Sequence, residues 1–325
     1  MIDVLLAILA IYLALQSLLA PRLSQSVFLF FAFGLVLALA WSRLGAVDVA
    51  IAEASIAAGF FGVLLIDALR DFSSTDSKKQ ENLKTNRSYQ PVGNLNYRLL
   101  PKIALALGLG LFLLISFEAI WKIPDGGGLA AVAEAMLTQS GVEHPVTAVL
   151  LNYRGYDTWL EIGVILMGLL AIFAIGGKEA CSNPSTAAKD PLLKQVILFF
   201  APVLFLFGSF LLYIGKTGPG GAFQAAVLWG AMGILLHLGG WPILALISPW
   251  LNKLILTVGL GFFLVLGFFF IAGGGALFEY PVAQAGLLIL IVETLAAFSI
   301  AATLTTIFAH FNQMKSETNE IEPPN

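Results

Sequence analysis

The chain has 325 residues, of which 58% are hydrophobic and 11% are charged, and its mean hydropathy is +0.89. Soluble domains carry about 25% charged residues, so the composition excludes an ordinary water-soluble domain. The net charge of −3 offers no basic surface for nucleic acid, and the single cysteine excludes a disulfide framework or a thiolate metal cluster. The composition predicts an all-α polytopic membrane protein that lies in the lipid bilayer.

Nine apolar blocks between turn and charge signals are long enough to predict transmembrane helices. They lie near residues 3–20, 26–42, 47–69, 102–121, 156–176, 192–214, 220–239, 253–272 and 282–309. With the N-terminus outside, only four of the 17 basic residues lie outside, namely Arg43, Lys122, Arg154 and Lys216. Because cytoplasmic loops retain lysine and arginine, we expect this orientation, which places the C-terminus in the cytoplasm.

Two polar segments divide the predicted helices into blocks of three, two and four. Both segments are rich in charged and turn-forming residues, which is typical of linkers. We therefore predict a three-helix module at 1–72, a cytoplasmic linker at 73–100, a two-helix module at 101–177, a second linker at 178–190, a four-helix module at 191–310 and a polar tail at 311–325.

Ionisable side chains inside a membrane span are costly, so each one needs a partner or a role. The candidates in or at the start of the predicted helices are Asp48, Glu53, Glu118, Asp157, Glu161, His237 and Glu293. The set is mainly acidic, which suits the binding or relay of protons or metal cations. Glu293 is the deepest, about 18 Å along its helix from Pro281, and we expect it to be functional. A structural carboxyl hydrogen-bonded through Thr294 or Ser299 is the alternative.

Glu53 borders a stripe of small residues that recurs at every fourth position. The stripe consists of Ala46, Ala50, Ala54, Ala58 and Gly62. Such a stripe lets another helix approach closely, so Glu53 is expected to face protein and to handle ions or protons. Asp48 lies about one turn nearer the outer surface. It either contributes to the same ion path or is satisfied by the first-turn amides of its own helix.

Three other candidates have structural alternatives. Glu161 ends the pattern Thr158-Trp-Leu-Glu161, which is a capping box when it stands at a helix start. Asp157 follows a nearby arginine, an arrangement that fits either a structural clamp or an ion entrance. His237 ends a helix on the cytoplasmic side, where the helix dipole favours a positive charge and a proton exit is the other interpretation. Glu118, near the outer end of its helix, can extend to water.

The segment Gly215-Lys-Thr-Gly-Pro-Gly-Gly-Ala-Phe-Gln224 joins two predicted helices. It lacks the ending and the preceding strand of a phosphate-binding loop, and it predicts a broken helix start whose free amides line a cavity. The break is assigned to Gly218, Pro219, Gly220 and Gly221. Because the sequence has no zinc, haem, flavin or nucleophile-base motif, we expect neither an enzyme nor a cofactor.

Three stretches resemble subunits of the Mrp-type multisubunit sodium/proton antiporters and the related membrane arms of membrane-bound hydrogenases. Gly45-Ala-Val-Asp-Val-Ala-Ile-Ala-Glu53 resembles the Gly-Ala-Pro-Asp-Val-Ala motif near the end of the large A subunit, with Val47 in place of proline. Tyr153-Arg-Gly-Tyr-Asp-Thr-Trp-Leu-Glu161 resembles the final two-helix segment of that subunit. Gly218-Pro-Gly-Gly-Ala-Phe-Gln224 resembles the Pro-Gly-Gly-Gly-Phe loop of the four-helix B subunit.

The resemblance implies a fusion of the C-terminal part of an A subunit with a B subunit in the bacterial cytoplasmic membrane. It implies a non-autonomous subunit that exchanges Na⁺ and H⁺ together with other antiporter subunits. It implies an ion path through Asp48, Glu53, Asp157 and Glu161, with transient Na⁺ at Glu53 or Glu161 and no other metal. Glu293 gains nothing from the resemblance and depends on its depth alone. The chain has no lysine inside a span, unlike the proton-pumping modules of that family, so we expect no exchange by the chain alone.

Two alternatives stay open at the level of the sequence. The same modules could link electron transfer to ion translocation as an adaptor in a membrane-bound hydrogenase or a relative of respiratory complex I. The acidic residues could instead serve only packing and capping in a structural scaffold subunit.

Overall fold

A computed structural model describes residues 1–21, 23–63, 99–122, 130–176, 191–241 and 246–321. Over these residues the secondary structure is helical, with no strand. The predicted all-α fold class is therefore confirmed for the described part of the chain. The predicted linkers at 73–100 and 178–190 lie outside it, except that the first described helix after the gap already begins at Leu99.

The first three helices come from the predicted N-terminal module. Helix α1 spans Ile2–Leu19 and α2 spans Leu23–Arg43. They pack against each other as an antiparallel hairpin. An ion pair joins Arg43 at the end of α2 to Asp3 at the start of α1, with 3.0 Å between Nε and Oδ1. Helix α3 spans Val47–Ala54 and continues without interruption as the π-helix Ser55–Phe61. α3 and this π-helix both pack against α2.

The chain separates into two compact units, residues 1–72 with 133–325 and residues 73–132. The described part of the second unit is mainly α4, which spans Leu99–Trp121. Near its end Glu118 forms an exposed ion pair with Lys122, with 2.5 Å between Oε1 and Nζ. This contact agrees with the interpretation that Glu118 extends to water.

The remaining helices follow in chain order. Three short helices come first: α5 at Ala130–Ala135, α6 at Leu137–Ser140, and α7 at Pro145–Ala148, which continues as the π-helix Val149–Tyr153. The long ones are α8 at Gly155–Gly176, α9 at Pro191–Ile214, α10 at Ala222–Leu238, α11 at Pro249–Ala272 and α12 at Val282–Ile321.

Six of the described helices are long and apolar enough to cross a membrane. These segments are Ile2–Leu19, Gln25–Arg43, Gly155–Ile175, Leu193–Ile214, Pro249–Ala272 and Val282–Phe311. The chain is therefore a multi-pass membrane protein. The other three predicted spans are shorter in their described parts: α10 has 17 residues, α4 contributes the apolar segment Gly110–Ala119, and the third predicted span is described only as far as Val63.

Helix α12 lies at the centre of the first unit, between α10, α11 and α8. In the apolar segment of α12, 56% of the residues are buried, compared with 6% in the apolar segment of α1. α10 and α11 approach α12 closely because each presents a glycine to it. A Cβ at Gly259 of α11 would lie 2.8 Å from Ala296 Cα, and one at Gly230 of α10 would lie 3.2 Å from Leu304 Cβ. The helix also continues to Ile321, well beyond the predicted end of the span near 309, so the described part of the predicted polar tail is helical.

Candidate functional site

The connection between α9 and α10 contains a sharp corner built by two glycines. Gly220 and Gly221 have φ angles of +157° and +136°, which side chains disfavour. Gly221 N donates to the Leu211 carbonyl oxygen 3.0 Å away, and this bond ties the corner to the last turn of α9. Helix α10 therefore starts at Ala222, two residues after the predicted start of the span at 220–239. We call residues 218–221 the glycine corner.

Glu293 from α12 lies at the start of α10. The amide of Ala222 donates to Glu293 Oε1 at 3.3 Å, and the side chain of Glu293 is almost fully enclosed, with 3% of the residue exposed. The second carboxylate oxygen, Oε2, is buried and has no hydrogen-bond partner among the described residues. A carboxylate in such a place is strongly destabilised unless it binds a proton or a cation.

The predicted structural partners of Glu293 are engaged elsewhere. The Thr294 hydroxyl donates to the Leu290 carbonyl oxygen at 2.6 Å, and the Ser299 hydroxyl donates to the Leu256 carbonyl oxygen at 2.5 Å. The alternative that these hydroxyls satisfy the carboxyl is therefore wrong. Within the part of the chain that the structure describes, the one hydrogen bond to Glu293 comes from the backbone amide of Ala222 at the helix start.

Asp48 from α3 lies on the other side of the glycine corner. Gly220 N donates to Asp48 Oδ1 at 3.2 Å, and His144 Nε2 lies 3.1 Å from Oδ1 and 3.0 Å from Oδ2. The side-chain amide of Gln224 donates from Nε2 to the backbone carbonyl oxygen of Asp48 at 3.4 Å. These partners come from distant segments of the chain. The contacts of Asp48 therefore differ from the alternative in which the first-turn amides of its own helix satisfy the carboxylate.

His144 was not predicted from the sequence. Its backbone amide and that of Glu143 both donate to the Lys216 carbonyl oxygen at 3.2 Å, and the Thr147 hydroxyl donates to the Gly215 carbonyl oxygen. These bonds fix the residue beside the connection that leads into the glycine corner. A signal was available: among the three histidines it is the one that lies well away from every predicted span, on the predicted outer side with Asp48.

The carboxylates of Asp48 and Glu293 lie next to adjacent residues of the glycine corner, Gly220 and Gly221. A Cβ at Gly221 would lie 2.9 Å from Glu293 Oε1 and 3.5 Å from Gln224 Oε1. Gln224 is itself buried and donates to the backbone of Asp48, so it stands between the two acidic residues. The structure thus brings together Asp48, Glu293 and the glycine corner, three of the features that the sequence singled out.

Glu53 is separate from this corner. It lies about 7.5 Å further along α3 than Asp48 and faces α2 at Gly34, where a Cβ would lie 3.3 Å from Glu53 Oε1. Its side chain is half-buried and makes no hydrogen bond or ion pair within the described residues. Of the small-residue stripe, Ala50 is buried and Ala46, Ala54 and Gly62 are half-buried.

Asp157 and Glu161 lie on the first turns of α8, away from the glycine corner. Arg154 Nη2 forms an ion pair with Asp157 Oδ2 at 2.6 Å, a contact that fits both the clamp and the ion entrance, and Glu161 is exposed. The capping-box interpretation of Glu161 is wrong. The helix already begins at Gly155, and the Thr158 hydroxyl donates to the Leu150 carbonyl oxygen at 2.7 Å.

His237 lies at the opposite end of α10 from the glycine corner, about 22 Å from Ala222. It is buried, and its ring packs edge-on against Phe308 with 6.0 Å between centroids. The structure does not bring it to either carboxylate. No group of three or more histidine, cysteine, aspartate or glutamate side chains in the described ranges could hold a metal ion.

The helices and these contacts define a multi-pass membrane protein in which two acidic residues, Asp48 and Glu293, meet at the connection between two helices. Residues 8–74 match the family model MbhD, which describes the D component of MBH, and residues 192–314 match the model described as a domain related to the MnhB subunit of Na⁺/H⁺ antiporter. The chain therefore joins an MbhD domain at residues 8–74 to an MnhB-related domain at residues 192–314, as the resemblance to an antiporter subunit fusion predicted.

The fold is also similar to that of a solved chain in the Mrp complex from Dietzia sp. DQ12-45-1b. The two chains are 20% identical and align with a TM-score of 0.65 over 98% of this chain and 35% of the solved one. This chain thus spans about a third of the length of the solved chain. None of the curated proteins matches it.

Proposed function

We propose that the chain is a non-autonomous subunit of a multisubunit Na⁺/H⁺ antiporter in the bacterial cytoplasmic membrane. In this proposal its acidic residues form part of the ion path, and it packs against antiporter-like subunits. One observation carries the proposal: Glu293 is buried with a free oxygen at the point where the MnhB-related domain meets Asp48 of the MbhD domain. The matched family descriptions supply the ions and the kind of complex.

The corner provides what a cation path needs at a low-dielectric position. Amides at a helix start stabilise the ionised carboxylates of Asp48 and Glu293, and the free Oε2 of Glu293 can take a proton or a cation. The glycine corner therefore acts as a backbone support for two acidic residues that belong to different domains.

The other predicted residues extend this path in the proposal. Glu53 or Glu161 binds Na⁺ transiently, Asp157 with Arg154 forms the outer entrance, and His237 is the proton exit at the cytoplasmic side. Partner subunits couple the opposing flux, since every lysine of the chain lies in a loop or at a membrane boundary.

Replacement of Glu293 by glutamine tests the proposal. We expect Glu293→Gln to abolish sodium-driven proton exchange by the full complex in inverted membrane vesicles, because the amide cannot bind a proton or balance a cation. The measurement is the initial rate of proton movement after addition of NaCl, normalised to assembled complex. Glu53→Gln and Glu161→Gln belong to the same series, and loss of exchange is expected for both.

Glu279→Gln is the matched control. Glu279 lies on the loop before α12, where its carboxylate accepts a bond from the exposed amide of Ala276 at 2.7 Å. We expect this variant to exchange at the wild-type rate. If the Glu293 variant also exchanges at that rate, the residue is a structural carboxyl, and a scaffold role for the acidic residues follows.

The family match of the first domain favours one second candidate. The model that matches residues 8–74 describes a component of MBH, which supports an adaptor role in a redox-driven ion-pumping complex. Partner chains distinguish the two candidates. Chains that carry metal clusters would co-purify with a redox adaptor, whereas an antiporter subunit would co-purify with antiporter-like chains alone.

A further inference from the structure

Gln224 is a buried polar side chain between the two acidic residues of the glycine corner, and the family descriptions give it no role. It lies on the first turn of α10 and is 8% exposed. Its Nε2 donates to the backbone carbonyl oxygen of Asp48 at 3.4 Å. Because a carbonyl oxygen only accepts hydrogen bonds, this contact identifies the nitrogen end of the amide. The amide oxygen of Gln224 is therefore the atom on the side away from Asp48.

The side-chain oxygens of Gln224 and Glu293 converge on Gly221. The position that a Cβ of Gly221 would take lies 3.5 Å from Gln224 Oε1 and 2.9 Å from Glu293 Oε1. Both polar residues are more than nine-tenths buried. An amide oxygen and a carboxylate oxygen are both hydrogen-bond acceptors, so they repel each other unless a positive charge or a hydrogen atom lies between them.

The backbone donors of the glycine corner are already engaged. Gly221 N donates to a carbonyl oxygen in the last turn of α9, and Gly220 N donates to Asp48 Oδ1. Ala222 N donates to Glu293 Oε1, while Glu293 Oε2 has no partner among the described residues. The corner thus presents more acceptor oxygens than donor hydrogens. Hard cations bind to oxygen ligands of this kind, carboxylate and carbonyl together.

We propose that Gln224 Oε1 and the carboxylate of Glu293 together bind the transported sodium ion at the glycine corner, beside the α-carbon of Gly221. The carboxylate balances the charge of the ion, and the amide oxygen replaces part of its hydration shell without adding charge. Gly221 has no side chain, so both oxygens can reach the same ion. This inference rests on the proposed antiporter function and adds to it an uncharged ligand.

Two substitutions separate the oxygen of Gln224 from its nitrogen. Gln224→Met keeps a flexible, unbranched side chain but replaces the amide by a thioether, a poor ligand for a hard cation. Gln224→Glu keeps an oxygen and removes the donor to Asp48. For the full complex in inverted vesicles we expect the KM for sodium to rise at least about tenfold in the methionine variant, with turnover at saturating sodium within about twofold of wild type. The KM of the glutamate variant should stay at or below the wild-type value.

Gln284→Met is the matched control, because Gln284 is an exposed glutamine on the first turn of α12. It should keep the wild-type KM. A wild-type KM in Gln224→Met overturns the proposal, whatever its turnover. An equal rise of the KM in both Gln224 variants also overturns it, because the bond to Asp48 would then be what matters. Both results leave the proposed function intact, and Glu293→Gln tests that function separately.

A second measurement uses the wild-type complex and needs no transport. A sodium ion held by Gln224 and Glu293 would stabilise the glycine corner, so amide hydrogen exchange at residues 218–224 should be several-fold slower in NaCl than in choline chloride of equal concentration, as mapped by mass spectrometry. The loop at 273–280 is the internal reference and should exchange equally in both salts. Equal exchange of residues 218–224 in the two salts would overturn the proposal, even if the Gln224 variants fail to assemble.

Discussion

Glu293 contacts the start of α10 because Gly221 has no side chain. A Cβ at Gly221 would lie 2.9 Å from Glu293 Oε1, and the φ of +136° is one that other residues avoid. Leu211 holds the same glycine through its carbonyl oxygen. The position of the carboxylate therefore depends on a backbone shape that only two consecutive glycines provide.

Replacement of Gly221 by alanine should displace the carboxylate. The added methyl group overlaps with Oε1, and the strained φ costs about 1–3 kcal/mol. We expect Gly221→Ala to lower the exchange rate of the assembled complex by at least about tenfold, measured as sodium-driven proton movement in vesicles.

The matched control is Gly168→Ala on α8, where an added Cβ meets nothing within 4 Å. This variant should exchange like the wild type. Wild-type exchange by Gly221→Ala as well would contradict the close contact between the glycine corner and Glu293.

At the scale of residues, the sequence predicted part of the site. Glu293 and Asp48 were found because charge in an apolar helix is costly and therefore noticeable. Their common contact with the glycine corner could not be predicted, since neither the spacing nor the composition shows which distant segments meet. His144 was missed because it lies in a loop, where a histidine is inexpensive and gives no hydropathy signal.

At the scale of elements, the packing of α12 against α11 depends on close backbone approach. At Gly259 of α11 a Cβ would lie 2.8 Å from Ala296 Cα and 2.9 Å from Ser299 Cβ. The Ser299 hydroxyl donates to the Leu256 carbonyl oxygen across this contact. In lipid, such close packing and interhelical hydrogen bonds replace the hydrophobic driving force between helices.

A leucine at Gly259 should therefore separate the two helices. We expect Gly259→Leu to destabilise the folded protein by about 1–3 kcal/mol and to lower its thermal midpoint in detergent. Gly261→Leu is the control on the same helix, because a Cβ at Gly261 meets nothing within 4 Å. Equal midpoints for the two variants would show that α11 and α12 do not pack through this glycine.

Hydropathy predicts the long membrane-spanning helices but not the local backbone geometry of the elements. It located the six long spans because their apolar length is a direct consequence of crossing a bilayer. It placed the start of α10 too early, since hydropathy does not report the positive φ angles at Gly220 and Gly221. It gave no sign of the π-helices Ser55–Phe61 and Val149–Tyr153, whose local pitch depends on tertiary packing.

At the scale of the whole molecule, the fusion brings three parts of one chain to a common corner. The MbhD domain supplies Asp48, the MnhB-related domain supplies the glycine corner and Glu293, and the segment between them supplies His144. A covalent connection keeps such partners at a high effective concentration. The fusion therefore preserves a junction that separate subunits would have to form by association.

The apolar surface of α1 and α2 remains largely uncovered by the rest of the described chain. Only 6% of the residues in the apolar segment of α1 and 11% of those in the apolar segment of α2 are buried. Lipid or further membrane subunits can cover such surfaces. Under the proposed function the chain forms only part of an ion path and needs partner modules to complete it, so we expect partner subunits as well as lipid on these helices.

The composition of the native complex tests this central claim most directly. The full chain, tagged at its C-terminus, is purified from native membranes in mild detergent, and the co-purifying chains are identified by mass spectrometry. We expect large antiporter-like subunits in fixed stoichiometry and no metal-cluster proteins. A homogeneous preparation of this chain alone, with sodium-driven proton exchange after reconstitution, would contradict the account, because the protein would then be a self-sufficient carrier.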